Sequence, residues 1–94
     1  MVLETGLKVV IRVYYSKAHK EFLQTGYCVK VNQEEFKDLA GISCKDESVA
    51  KFDTLKIAAS VIQRSFKNTP DIRYVPMYEY DAIWLDEKEK KFNK

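Results

Sequence analysis

Residues 53–68, DTLKIAASVIQRSFKN, carry the strongest pattern in the chain and limit what it can fold into. Leu55, Ala59, Ile62 and Phe66 recur at helical spacing, and Ile57, Ala58 and Val61 widen the apolar surface beyond a single stripe. A helix apolar over that much of its girth has to be covered on two sides, so the rest of the fold is expected to wrap around it. Val49 and Phe52 continue the apolar positions backwards in steps of three, which predicts one long helix over about 48–68. Asp53 is the alternative N-cap. Asn68, Pro70 and Asp71 end the helix. Lys56, Ser60, Gln63, Arg64 and Lys67 are left as a narrow polar strip without an acid.

Strand patterns flank this helix. Residues 7–15, LKVVIRVYY, alternate: Val9, Ile11, Val13 and Tyr15 share one face, and Lys8, Val10, Arg12 and Tyr14 the other. Val10 on the polar face predicts a strand covered on both sides, hence a central one. Residues 27–31 (YCVKV) read as a second strand. Residues 72–80 (IRYVPMYEY) alternate again, with Ile72, Tyr74, Tyr78 and Tyr80 on one face and Val75 and Met77 on the other. Pro76 removes a ladder donor and places this strand at an edge or a bulge.

Three further segments are read locally, two of them in two ways. Residues 16–25 fit a short helix from Ser16 with Gly26 at its C′ position, or a loop and strand making a hairpin through a Gly26 bulge; the helix is preferred. Residues 33–40 fit a short helix capped by Asn32, with Glu34 and Glu35 in its first turn and Phe36, Leu39 and Ala40 as its apolar face. Residues 82–85 (AIWL) fit a last strand, or a C-terminal helix capped by Asp81; the strand is preferred. Residues 87–94 are charged helix formers with little to bury, a frayed tail.

The expected fold is therefore α+β in a single domain over residues 1–94. A small three- to four-stranded, mainly antiparallel sheet packs against the long helix, with one or two short helices beside it. Ninety-four residues leave no room for a second core.

Composition removes several function classes. Sixteen basic against fourteen acidic residues leave a net charge of +2, too little to imply nucleic acid by itself. No apolar run approaches the roughly 20 residues that span a bilayer, and the first residues carry no secretory signal pattern. Two cysteines, Cys28 and Cys44, are too few for a disulfide scaffold, so a cytoplasmic protein with reduced thiols is expected. Cys28 reads as a small packed hydrophobe, and Cys44 as the more exposed of the two. The single histidine, His19, has no orienting group near it in sequence. The paired acids Glu34–Glu35 and Asp46–Glu47 sit where helix starts would use them. With three glycines there is no phosphate loop, and no spacing of His, Cys and Asp points to a metal. No cofactor is expected, and no catalytic residue is assigned.

What remains is binding. Arg73, Tyr74, Met77, Tyr78, Tyr80 and Trp84 concentrate the residue types enriched at interface cores, and predict a protein partner or a homo-oligomer. A runner-up uses Lys56, Gln63, Arg64 and Lys67 along nucleic-acid phosphates and bases. A third reading places a small-molecule or enzymatic cleft around Tyr14, His19 and Tyr27. Compact size, many lysines and no catalytic machinery are common among accessory proteins of phages and mobile elements, and a regulatory role of that kind is the expectation.

Overall fold

The computed structural model describes residues 8–16, 25–33, 35–66 and 71–92. Their elements run β1 (Val9–Tyr15), β2 (Thr25–Asn32), β3 (Glu35–Ala40), α1 (Leu55–Ser65), β4 (Ile72–Tyr78) and α2 (Glu79–Phe92). The four strands form one antiparallel sheet in the order β3-β2-β1-β4, with a helix on each face. The fold is α+β.

The alternation of β1 decides what each face holds. Val9, Ile11, Val13 and Tyr15 join Cys28, Tyr74 and the α1 residues Ala58, Val61 and Ile62 in one core. Val10 points the other way, into a second core with Tyr27, Cys44, Val49 and Ala82 of α2. The central placement expected from Val10 is found. β4 lies at the sheet edge, where Pro76, opposite Ile11, is tolerated without its N–H.

The helix is shorter than its pattern predicts. It spans eleven residues, and Thr54, not Asp53, caps it by accepting a hydrogen bond from the Ile57 N–H at 3.1 Å. Val49 and Phe52 are buried, but in extended chain. β1 and β2 pair from Tyr14↔Thr25 to Arg12↔Tyr27 and then separate, and residues 48–52 enter the opening. On the β2 side Ala50 N–H donates to Cys28 O at 3.0 Å; on the β1 side Phe52 and Val9 exchange hydrogen bonds of 2.8 and 2.9 Å. Backbone partners offered by two splayed strands outweigh a helical register that only side chains would reward. Nor is α1 covered on two sides. Ala58, Val61 and Ile62 are its buried residues, while Leu55 and Ile57 remain 39% and 45% exposed on its flanks.

Residues 35–40 are strand β3, not part of a helix over 33–40. Asn32 pairs with Glu35 at the end of a β2–β3 hairpin, and its side-chain amide donates to the Glu35 carboxylate at 2.9 Å. Phe36, Asp38 and Ala40 alternate inward with exposed Glu35, Lys37 and Leu39. Phe36 meets the Phe52 ring at 5.6 Å, and the Tyr15 hydroxyl donates to Asp38 at 2.5 Å. Those tertiary partners override the helix propensity of the segment. Gly26 is not a helix C′ residue. It lies in β2 opposite Ala40, where a Cβ would come within 2.3 Å of the Leu39 carbonyl oxygen. Gly41, at φ 80°, turns the chain out of β3. The expected helix over 16–25 falls on positions 17–24, outside the described residues, except that Thr25 belongs to β2.

Residues 82–85 are helical, and α2 follows β4 with no intervening loop. Ala82 and Asp86, four positions apart, both turn toward the sheet, a helical period and not a strand period. The charged segment from position 87 stays helical to Phe92.

Candidate protein-interaction surface

α2 is held to the sheet by charge. Arg12 is wholly buried, and its Nη1 donates to the Tyr27 hydroxyl at 2.5 Å and to Asp86 Oδ1 at 2.7 Å. Tyr27 donates to the same carboxylate oxygen at 2.8 Å, and the Cys44 N–H donates to Oδ2 at 2.9 Å. The Arg12 guanidinium lies 5.3 Å from the Tyr14 ring centre and 5.5 Å from that of Tyr27. At the start of the helix the Glu79 N–H donates to Lys8 O at 2.8 Å, and the Glu79 carboxylate pairs with Lys51 at 3.0 Å. These contacts fix the rotation of α2 about its own axis.

That rotation decides which side chains face outward. With Ala82 and Asp86 inward, Tyr80, Trp84 and Lys88 follow at four-residue steps on the opposite side. Tyr80 is 72% exposed and Trp84 60%, and Lys88 Nζ stands 4.6 Å above the Trp84 ring. Asp81 is exposed beside them. The outer face is thus aromatic at its centre, acidic toward the helix start and basic further along.

The six residues expected at an interface do not converge. Tyr80 and Trp84 share the outer face of α2. Tyr78, 40% exposed, ends β4, and Arg73 is exposed on the same strand. Met77 is half-buried beneath α2. Tyr74 lies on the other side of the sheet, stacked on Phe66 at 4.5 Å in the core under α1. Its hydroxyl is pushed up to about 12 by burial, with Asp38 adding to the rise.

The basic strip is solvent-facing at Lys56, Gln63 and Arg64, with no acid in the first turn of α1; Lys67 lies outside the described residues. The cleft expected around Tyr14, His19 and Tyr27 is not assembled by the described residues. Tyr14 lines an open depression of about 500 Å³ with Ser16, Asp71, Arg73 and Val75, whereas Tyr27 is buried under Asp86 and His19 lies outside the described residues. Cys44 is buried, not exposed as expected, because the segment carrying it is tied down by Asp86. Burial, reinforced by Glu79 and Asp86, raises its thiol to about 11, and burial raises Cys28 to about 12. Neither is a thiolate nucleophile at neutral pH. No group of three potential metal ligands occurs among the described residues, and no helix there is long and apolar enough to cross a membrane.

Sequence reasoning missed Arg12 and Asp86, whose pairing spans 74 positions. Lys88 was findable, since Tyr80, Trp84 and Lys88 already stand at helical spacing once residues 82–85 are read as helix. Comparison of the chain with protein-family models, curated proteins and solved structures finds no match.

Proposed function

We propose that this is a small non-enzymatic binding protein, regulatory in role, that acts through a protein interface on the outer face of α2. The observation that carries this reading is the pair Tyr80 and Trp84, exposed one turn apart on a helix whose orientation a buried ion pair fixes. A tryptophan in water forfeits most of its large burial energy, and tryptophan and tyrosine are the side chains that dominate binding hot spots. A locked helix presents them without the ordering cost that a loop would carry on binding. Immobilised wild-type protein should capture a partner that Trp84→Ala and Tyr80→Ala lose and that Lys56→Ala retains. Equal capture by all variants sinks the reading.

The strip on α1 supports a second reading, nucleic-acid binding through Lys56, Gln63 and Arg64, because its side chains face solvent on one side of the helix. Fluorescence anisotropy with single- and double-stranded DNA at two salt concentrations tests it. Binding that weakens with salt and with Lys56→Ala plus Arg64→Ala supports it; no binding at low salt ends it.

A further inference from the structure

The outer face of α2 is complementary to itself. Asp81 precedes Trp84 by three positions and Lys88 follows it by four, offsets of about 4.5 and 6 Å along the axis. Two such helices laid antiparallel about a twofold axis through Trp84 bring each Asp81 level with Lys88 of the other copy, and Trp84 against Trp84. A parallel arrangement would instead oppose acid to acid and base to base. Among the described residues neither Asp81 nor Lys88 has an ion-pair partner, and Lys88 Nζ stands over the Trp84 ring. Glu87, which would dilute the pattern, lies toward Lys45 at 4.0 Å.

We propose that this chain pairs with a second copy of itself through α2, the helices antiparallel, with the two Trp84 rings at the centre flanked by two Asp81–Lys88 ion pairs. This rests on the reading of α2 as a protein interface and names the partner. Each half of the site is incomplete without the other copy, since one chain supplies the acid and its partner the base. A 14-residue helix is about 21 Å long, so the contact lies at the small end of specific interfaces and the dimer is weak and reversible.

Sedimentation velocity over about 10 μM to about 1 mM tests it. The wild type should shift from monomer to dimer with concentration. Asp81→Lys and Lys88→Asp should each weaken dimerisation at least about tenfold, because each places like charges at both symmetry-related contacts. An equimolar mixture of the two variants should recover a heterodimer, since one chain then offers two lysines and the other two aspartates. Asp81 and Lys88 are both exposed, so circular dichroism should show both variants folded. A monomer throughout the range, a dimer unchanged by Trp84→Ala, or a mixture no better than its components overturns the pairing. A monomeric wild type that still captures a different partner through Trp84 overturns the pairing alone and leaves the interface reading intact.

Discussion

Arg12 and Asp86 meet at 2.7 Å across 74 positions of sequence, the arginine wholly buried and the carboxylate at the rim of the core. One belongs to the central strand and the other to the last helix. Their contact joins the two ends of the described chain, and Tyr27 and the Cys44 N–H complete the shell around the carboxylate. The exposure of Tyr80 and Trp84 follows from this contact, because rotating α2 to bury either ring would pull Asp86 away from the guanidinium.

Removing only the carboxylate should be costly. Asp86→Ala removes the carboxylate on which the buried guanidinium, the Tyr27 hydroxyl and the Cys44 N–H converge, and about 3–5 kcal/mol of stability should be lost in urea denaturation. Replacing both partners with apolar residues, Arg12→Met with Asp86→Leu, should cost clearly less than the sum of the single changes. Additive losses would show that the two groups are not coupled.

How far the sequence revealed this fold depends on where each pattern finds its partner. β1, read over 7–15 and found over Val9–Tyr15, was legible in its alternation because that alternation is rewarded on both faces, and Val10 alone announced the second layer. Pro76 limited β4 to an edge or a bulge because a missing N–H is a local fact, and the strand lies at the edge. The errors fall where a segment satisfied two periods. Phe36, Leu39 and Ala40 fit a helix, while Phe36, Asp38 and Ala40 fit a strand; only Phe52 and Tyr15, distant in sequence, select the second. Val49 and Phe52 fit a helical stripe, yet their backbone is taken by β1 and β2. Arg12 was placed on the polar face, which is correct, but burial by Asp86 has no local signature. Of the interface residues, Tyr80 was read into the strand over 72–80 and Trp84 into a last strand over 82–85. The helix that presents them became legible only through Ala82 and Asp86.

The start of α1 gives a test between neighbouring residues. Thr54→Ala removes the acceptor for the Ile57 N–H and should cost about 1 kcal/mol. Asp53→Ala removes only an exposed ion pair with Lys8 at 2.9 Å and should cost less than about 0.5 kcal/mol. Chemical denaturation of both variants decides it. A larger loss at Asp53 would move the cap.

Gly26→Ala should be poorly tolerated although alanine is small. The added methyl meets the Leu39 oxygen and the Ala40 Cα at 2.3 and 2.7 Å, both backbone atoms that cannot turn aside. Overpacking of this kind costs on the order of 1–3 kcal/mol. Native-state amide exchange should show the β2–β3 pairing loosened first, and unchanged protection there would contradict the close approach.

Alkaline pH should destabilise the protein through its buried thiols and phenols. In the unfolded chain the thiols lose their protons near 9, whereas folded Cys44 holds its proton to about 11 and folded Cys28 to about 12. Burial likewise raises the hydroxyls of Tyr15 and Tyr27 above their usual value of 10.0. Above pH 9 the native state therefore binds more protons than the unfolded state, so stability falls as pH rises, and below that the thiol contribution is fully present and flat. Each thiol contributes a limiting slope of about 1.4 kcal/mol per pH unit. Urea midpoints should be level from pH 7 to 8.5 and drop beyond 9, and Cys44→Ala should remove about half of the slope that begins there, before the tyrosines join. The same burial should keep both thiols slow toward a thiol reagent at pH 8 until urea unfolds the chain. Rapid labelling of either cysteine in the native protein, or a stability curve level to pH 11, would show that the thiols are accessible and that α2 does not close over Cys44.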